Sequence, residues 1–300
     1  MVDVPAIVRN KARAIGDDAW LEQLDVLVAD LAQTWDLTLG ATIEGGTEAL
    51  VIAATTGDGR DAVLKLLVPR DGTNAREEAA VLDACGGDGC AELLRFDEDR
   101  SALLIERLGP SMFDLGIGFD DRLRILVDTA AAVWRPPGDL VDHLMDAPAK
   151  ARWLIDFIET EWDRLGRPCS RAAVDEAIAA AARRARAHDP TRAVLCHGDV
   201  HQWNTLQAGD GWKLVDPDGL IAEPECDLGI ILREDPDDML AAGARDVVSS
   251  VASRTGTDPR AIWDWAFAER VSTGLVATAI DLQPVGRQML AAADHLASHA

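Results

Sequence analysis

The sequence predicts an α+β fold in two lobes, a small N-terminal lobe of antiparallel sheet plus one helix and a larger, mostly helical C-terminal lobe. Three observations predict it. Five short β-rich runs, with one helical interval after the third, occupy residues 37–107. The character changes after Leu108-Gly109-Pro110, beyond which Ala-, Leu- and Trp-rich stretches carry helical spacing. That helical region is interrupted by a short apolar run, AVLC, which leads into a polar loop, HGDVHQWNTL.

Taken in order, the chain first reads as helix to about Trp35, because Trp20, Leu21, Leu24, Leu27, Val28 and Leu31 recur at helical spacing. LTLGATI (37–43), EALVIAAT (48–55) and DAVLKLLV (61–68) read as strands of an antiparallel meander. Glu44-Gly45-Gly46-Thr47 joins the first two and the tight-turn signal Gly57-Asp58-Gly59 the next. A helix over about 73–84 follows, ending before Gly86-Gly87, and then two more strands, AELLRF (91–96) and SALLIER (101–107). Residues from about 119 to 190 read as helix broken once at Arg135-Pro136-Pro137-Gly138. The strand AVLC (193–196) precedes the polar loop, and NTLQ and WKLVD flank a turn at 209–211 as two brief strands. Everything after about 225 reads as helices punctuated by Pro236, Pro259 and Pro284. No internal repeat is visible.

Composition narrows the function classes. Lys and Arg number 29 against 52 Asp and Glu, a net charge of −23 and a pI near 4.5. Such a chain repels a nucleic-acid backbone, so no nucleic-acid partner is expected. The acidity suits a cationic small molecule such as a polyamine or amino sugar, and equally a plain solvated surface. Five cysteines, an odd count with no CxxC pair, read as reduced thiols. No run approaches the ~18 apolar residues of a membrane span, and the N-terminus lacks the apolar segment of a signal peptide. The expectation is a soluble, cytoplasmic protein with no membrane partner, monomeric or weakly dimeric.

The chemistry concentrates in HGDVHQWNTL (197–206) and LVDPDG (214–219). Phosphoryl transfer needs a carboxylate to orient and deprotonate the attacking hydroxyl, oxygen ligands for Mg²⁺, and a cation on the phosphates that stay behind. Asp199, on a loop just after a buried strand, fits the first role. Asn204, five residues on, and Asp216, closing WKLVD, fit the metal. Lys65 lies among apolar neighbours in AVLKL and would contact the phosphates of ATP. Glu78 on the following helix would aim it, with Glu77 the competing carboxylate if the helix register differs by one. Gly45 and Gly46 would let backbone N–H groups approach the phosphates. Any one of these residues alone is more often a turn cap or surface group; their order along the chain is what points to chemistry. His197 and His201 have i, i+4 spacing, yet a third ligand for zinc is lacking. His201, Trp203 and Glu223 are candidate contacts for the acceptor, against loop, packing and capping roles respectively.

HxDxxxxN followed by an apolar-Asp run, with a strand lysine and helix glutamate upstream, resembles the aminoglycoside phosphotransferase family, and within it the streptomycin 6-kinase and hydroxyurea phosphotransferase branch. RDGTNAREEAAVLDACGGDG, LLIERLGPS, DPDGLIAEPECD and AERVSTGL carry that closer likeness, over roughly residues 38–280. The resemblance implies a protein-kinase-like fold, with a nucleotide-binding lobe over 1–108 and a helical lobe over 109–300 holding the catalytic loop and the acceptor. It implies ATP and Mg²⁺ as cofactors, with a streptomycin-type aminoglycoside as acceptor in antibiotic resistance. It assigns the stretch from Glu106 to Leu108 to an adenine-binding hinge, and His197 and Asp227 to support of the catalytic loop. Two positions depart from the pattern: Asp218, where the family often has lysine, and Cys226, where it often has an aromatic residue. A metabolic kinase of a sugar, amino sugar or amino alcohol, or a nucleotide-binding pseudokinase, would share the same fold.

Overall fold

The computed structural model describes residues 2–14, 17–44, 48–69 and 74–298. The fold is α+β and divides into two compact units, Met1–Gly109 with Gln207–Val215 and Pro110–Leu206 with Asp216–Ala300.

The first unit opens with two helices, α1 (Ala6–Ala14) and α2 (Asp18–Thr34), where one continuous helix was expected. The chain restarts at Asp17, whose carboxylate caps α2 by accepting the Trp20 N–H. A five-stranded antiparallel sheet follows, formed by β1 (Leu37–Thr42), β2 (Ala49–Thr56), β3 (Asp61–Leu67), β4 (Leu93–Asp97) and β5 (Ala102–Glu106). Its order is β1-β2-β3-β5-β4, so β3 is central, with Lys65 paired to Val51 on one side and Leu103 on the other. Alternation then decides which face each side chain takes. Leu50, Ile52, Leu64 and Leu66 form a core with Leu24, Val28 and Leu31 of α2. Lys65, between Leu64 and Leu66, points to the other face, toward helix α3 (Asn74–Cys85).

The expected boundary near 108 needs one correction. Residues 207–215 and Gly109 belong with the first unit, although the sequence places everything from 109 onward in the second. The reason is backbone pairing: Leu214 N–H donates to the Gly89 carbonyl, Ala91 N–H to the Leu214 carbonyl, and Gly109 N–H to the Gln207 carbonyl. Long-range bonds of this kind leave no trace in local periodicity.

The second unit begins with α4 (Phe119–Val133) and a 3₁₀ turn (Gly138–Asp142) after the expected Pro-Pro break. There follow β6 (Met145–Asp146), α5 (Ala147–Arg164), α6 (Arg171–Ala187) and β7 (Val194–Cys196). The hairpin strands β8 (Thr205–Ala208) and β9 (Gly211–Leu214) lead into and through the segment that belongs with the first unit, and β10 (Leu220–Ala222) lies in the second. The chain ends in α7 (Glu225–Arg233), α8 (Pro236–Ala241), α9 (Ala244–Thr255), α10 (Pro259–Ala279) and α11 (Val285–Ser298). Asp146, Ser170 and Asp258 cap α5, α6 and α10, and Pro236 and Pro259 open their helices, where a missing N–H costs nothing. β7 and β10 pair antiparallel, with β6 added parallel on the far side of β10. Neither β6 nor β10 was anticipated, because strands of two and three residues are too short to show a period.

Helix α10 is buried along most of its length and packs against α5, α6, α7 and α11. Its approach to α7 requires Gly229. A Cβ placed there would lie 2.3 Å from the Cβ of Trp265. This contact anchors α7, which carries two groups of the site described next.

Candidate active site

The loop after β7 is shaped from beneath by one carboxylate. Asp227, fully buried on α7, accepts three N–H bonds: His197 N at 3.0 Å, Gly198 N at 2.9 Å and Trp134 Nε1 at 3.0 Å. Burial nonetheless pushes its carboxyl above the usual range, with the three donors pulling the other way. Gly198 adopts φ 89°, a left-handed conformation that favours glycine, and an added Cβ would meet the Asp218 Cβ at 3.0 Å. His197, also buried, accepts the Asp199 N–H at Nδ1 (3.2 Å), and its carbonyl takes the Gly219 N–H (3.0 Å). The loop and the DPDG segment are thereby tied side by side.

Both oxygens of Asp199 are engaged. Arg233 Nη2 lies 2.6 Å from Oδ1, while His201 Nε2 and Asn204 Nδ2 lie 3.1 Å from Oδ2. His201 Nδ1 accepts the backbone N–H groups of Trp203 (3.2 Å) and Asn204 (3.3 Å), so its proton sits on Nε2, facing Asp199. Burial works against the Asp199 charge, but His201 and Arg233 outweigh it and hold the carboxyl well below the ordinary carboxylate range. Burial likewise disfavours charged His201, and the neighbouring Asp199 overrides it, so the imidazole titrates above its ordinary value.

Asn204 is held by two bonds from Nδ2, to the Asp199 carbonyl and to Oδ2, each 3.1 Å. Its Oδ1 takes no protein donor among the described residues. Asp216, at φ 59°, is exposed just past β9. Carboxylate and amide oxygens are hard donors of the kind Mg²⁺ takes together with phosphate oxygens, so this pair fits the expected ion in its chemistry. Among the described residues no group of three or more His, Cys, Asp or Glu gathers to hold a metal by itself. Asp218 is open to solvent but has protein around it on most sides. That surrounding, with the Asp199 charge, pushes its carboxyl up to about 7 against the pull of Lys150 and Arg233.

In the first unit, Lys65 is 6% exposed and its ammonium lies 2.7 Å from both Glu78 oxygens. The helix register thus puts Glu78 on the lysine. Glu106 accepts the Glu92 N–H at 2.8 Å and pairs with Lys213. The Leu108 N–H beyond it bonds to no protein group among the described residues. Gly45 and Gly46 lie outside the described residues.

One candidate acceptor contact needs revision. Glu223 is buried, accepting Trp265 Nε1 at 2.8 Å with Arg184 at 3.7 Å, so it belongs to the helical core. A carboxylate in an otherwise polar-looking loop gave no sign of that tryptophan 42 residues away. His201 is a partner of Asp199 first. Trp203 is 46% exposed and stacks on Phe113, with ring centroids 5.0 Å apart. Sequence reasoning missed Arg233 and Phe113. Arg233 left one signal, an arginine closing the apolar helix DLGIIL; Phe113 left none.

A family model described as aminoglycoside/hydroxyurea antibiotic resistance kinase matches residues 34–280. The chain is 30% identical over 278 residues to a streptomycin 6-kinase of Streptomyces glaucescens, covering 85% of this chain and 81% of that one. It is 31% identical over 246 residues to a hydroxyurea phosphotransferase of Kitasatospora aureofaciens, covering 76% and 67%. Among solved structures, a thermostable mutant of aminoglycoside phosphotransferase APH(4)-Ia in complex with ADP and hygromycin B superposes with a TM-score of 0.61 at 15% identity, covering 90% of this chain and 97% of that one. That likeness shows a shared protein-kinase-like fold.

Proposed function

Because the chain belongs to the aminoglycoside/hydroxyurea antibiotic resistance kinase family, and is a phosphotransferase, we propose that it moves the γ-phosphoryl group of Mg-ATP to a hydroxyl of a streptomycin-type aminoglycoside. The observation that carries the chemistry is the Asp199 carboxylate, kept ionised and fixed in orientation by Arg233, His201 and Asn204. Such a group is a poor base in the ground state. In the loose transition state of phosphoryl transfer, however, the nucleophile needs alignment first and loses its proton late. Asp199 orients the acceptor hydroxyl by charge and takes the proton as the new O–P bond forms.

Asp216 and the Asn204 Oδ1 are the groups that would hold Mg²⁺, which would supply positive charge to the phosphates. Lys65, aimed by Glu78, is assigned to the α- and β-phosphates, and the Glu106–Leu108 backbone to adenine. The first unit is therefore the nucleotide-binding one and the second the acceptor-binding one. The streptomycin-type acceptor is supported by two observations: a relative named for streptomycin, and an exposed Phe113–Trp203 stack near Asp199 that offers ring faces to guanidinium groups.

The test is mass spectrometry of products after incubation with Mg-ATP and streptomycin, other aminoglycosides, hydroxyurea, glucosamine or choline, with Asp199→Asn as control. A phosphate-mass gain on streptomycin that the variant loses is the expected result. A gain on another acceptor alone discards the streptomycin assignment, and failure to bind ATP discards the reading altogether.

A further inference from the structure

Helix α7 is buried along its length and ends in Arg233, a cation that is itself buried. A guanidinium presents nitrogens in three fixed directions in one plane. Here each direction meets a different carboxylate. Nε lies 3.2 Å from Glu234 Oε1, Nη1 lies 3.4 Å from Glu269 Oε2 on α10, and Nη2 lies 2.6 Å from Asp199 Oδ1. Glu269 forms a further ion pair with Lys150, whose Nζ is 3.2 Å from its other oxygen. Two of the three contacts therefore lock the guanidinium from behind and aim its third edge at Asp199.

A carboxylate has about four acceptor positions, two on each oxygen. Oδ2 of Asp199 spends both of its own on His201 Nε2 and Asn204 Nδ2. Oδ1 spends one on Arg233 and keeps one. From this count, and resting on the function proposed above, we infer that Arg233 is a positioning residue for phosphoryl transfer: it fixes Oδ1 of Asp199 as the oxygen that receives the acceptor hydroxyl. Without Arg233, Oδ1 would have no partner to set its direction, and the carboxylate would turn about the Oδ2 bonds.

The experiment compares steady-state kinetics of wild type, Arg233→Lys and Arg233→Ala with Mg-ATP and the acceptor found by mass spectrometry. Far-UV circular dichroism and thermal unfolding show which variants are folded. Misplacing a reacting group by about 1 Å costs on the order of 10²-fold in rate. The expected result is a kcat loss of that order in Arg233→Ala with KM for ATP and acceptor little changed, and a smaller loss in Arg233→Lys. Guanidinium chloride, well below unfolding concentrations, should restore part of the Arg233→Ala rate, and should restore nothing in Arg233→Ala combined with Asp199→Asn. An arginine with a purely structural role would give no kcat loss, and nothing for guanidinium to relieve, in a variant that is fully folded. A folded variant with unchanged kcat, a loss confined to KM, or a loss guanidinium does not relieve overturns the inference. If Arg233→Ala does not fold, Arg233→Lys decides, since an ammonium keeps the charge without reaching three carboxylates; a wild-type kcat in it overturns the inference. A wild type that transfers phosphate to nothing overturns the functional reading itself, and is told apart because it needs no variant.

Discussion

Replacing Asp227 by alanine removes the one acceptor that holds the His197-Gly198 turn and the Trp134 indole together. The structure allows the cost to be worked out. Three buried N–H groups, at 2.9–3.0 Å from the carboxylate, would lose their partner at once. Each unpaired buried donor costs about 1–3 kcal/mol. Losing the carboxylate also relieves its own desolvation, and its vacated volume has room for a water, so each donor costs about 1–1.7 kcal/mol, near the bottom of that range, and the total is about 3–5 kcal/mol. At about 2 °C per kcal/mol for a chain of this size, the melting temperature should fall by roughly 6–10 °C. Asp227→Asn should lose less, about 2–3 kcal/mol. Its oxygen keeps the His197 and Trp134 bonds, while its amide turns a donor toward the Gly198 N–H. The assay is thermal and urea unfolding followed by tryptophan fluorescence and circular dichroism. Asp227→Ala within about 1 kcal/mol of wild type would refute the claim that this carboxylate organises the loop.

Four further outcomes follow from the same geometry. Lys65→Met should abolish most transfer and lower stability in urea unfolding, because both Glu78 oxygens lose the buried ammonium 2.7 Å away; wild-type stability together with unchanged transfer would refute a role for the pair. Gly229→Ala should destabilise by about 1–3 kcal/mol or more, since its Cβ would fall 2.3 Å from that of Trp265; an unchanged melting temperature would show that α7 and α10 can separate freely. His201 has a raised folded-state pKa, so its stabilising pairing with Asp199 is fully present below the unfolded value and lost as pH rises through the folded one. The melting-temperature gap between wild type and His201→Gln should therefore be wider at about pH 6 than at about pH 9, and a gap that widens with pH refutes it. All five cysteines are buried; burial pushes Cys169 up to about 11, and Cys196 and Cys226 well above the ordinary thiol range. Ellman's reagent at mild alkaline pH should leave the native protein unlabelled and label all five after denaturation.

Strands β1, β2 and β3 were legible from period-two alternation and α3 from the glycines around it, whereas the second break in the helical stretch, between α5 and α6, was not. The loop 197–204 was legible as a candidate site because its Asp and Asn stand five residues apart. Lys65 was legible as an unusual strand residue, and the register of α3 put Glu78 on it. These are local signals, set by backbone sterics and alternation within a few residues. Glu223 was misread because its partner Trp265 lies on another helix, and Arg233 was missed because its value comes from Asp199, 34 residues earlier.

The sequence by itself determined which of the longer segments are strand or helix, the order of the two units, and which charged residues are candidates to meet a phosphate. Tertiary structure alone decided which carboxylate meets which cation. It turned Glu223 into a core residue, gave residues 207–215 to the first unit, and closed Arg233 onto Asp199 and Glu269. The physical reason is that buried charges must be paired wherever the chain brings them, and that pairing depends on helix approach, as at Gly229 and Trp265, with no record in local sequence.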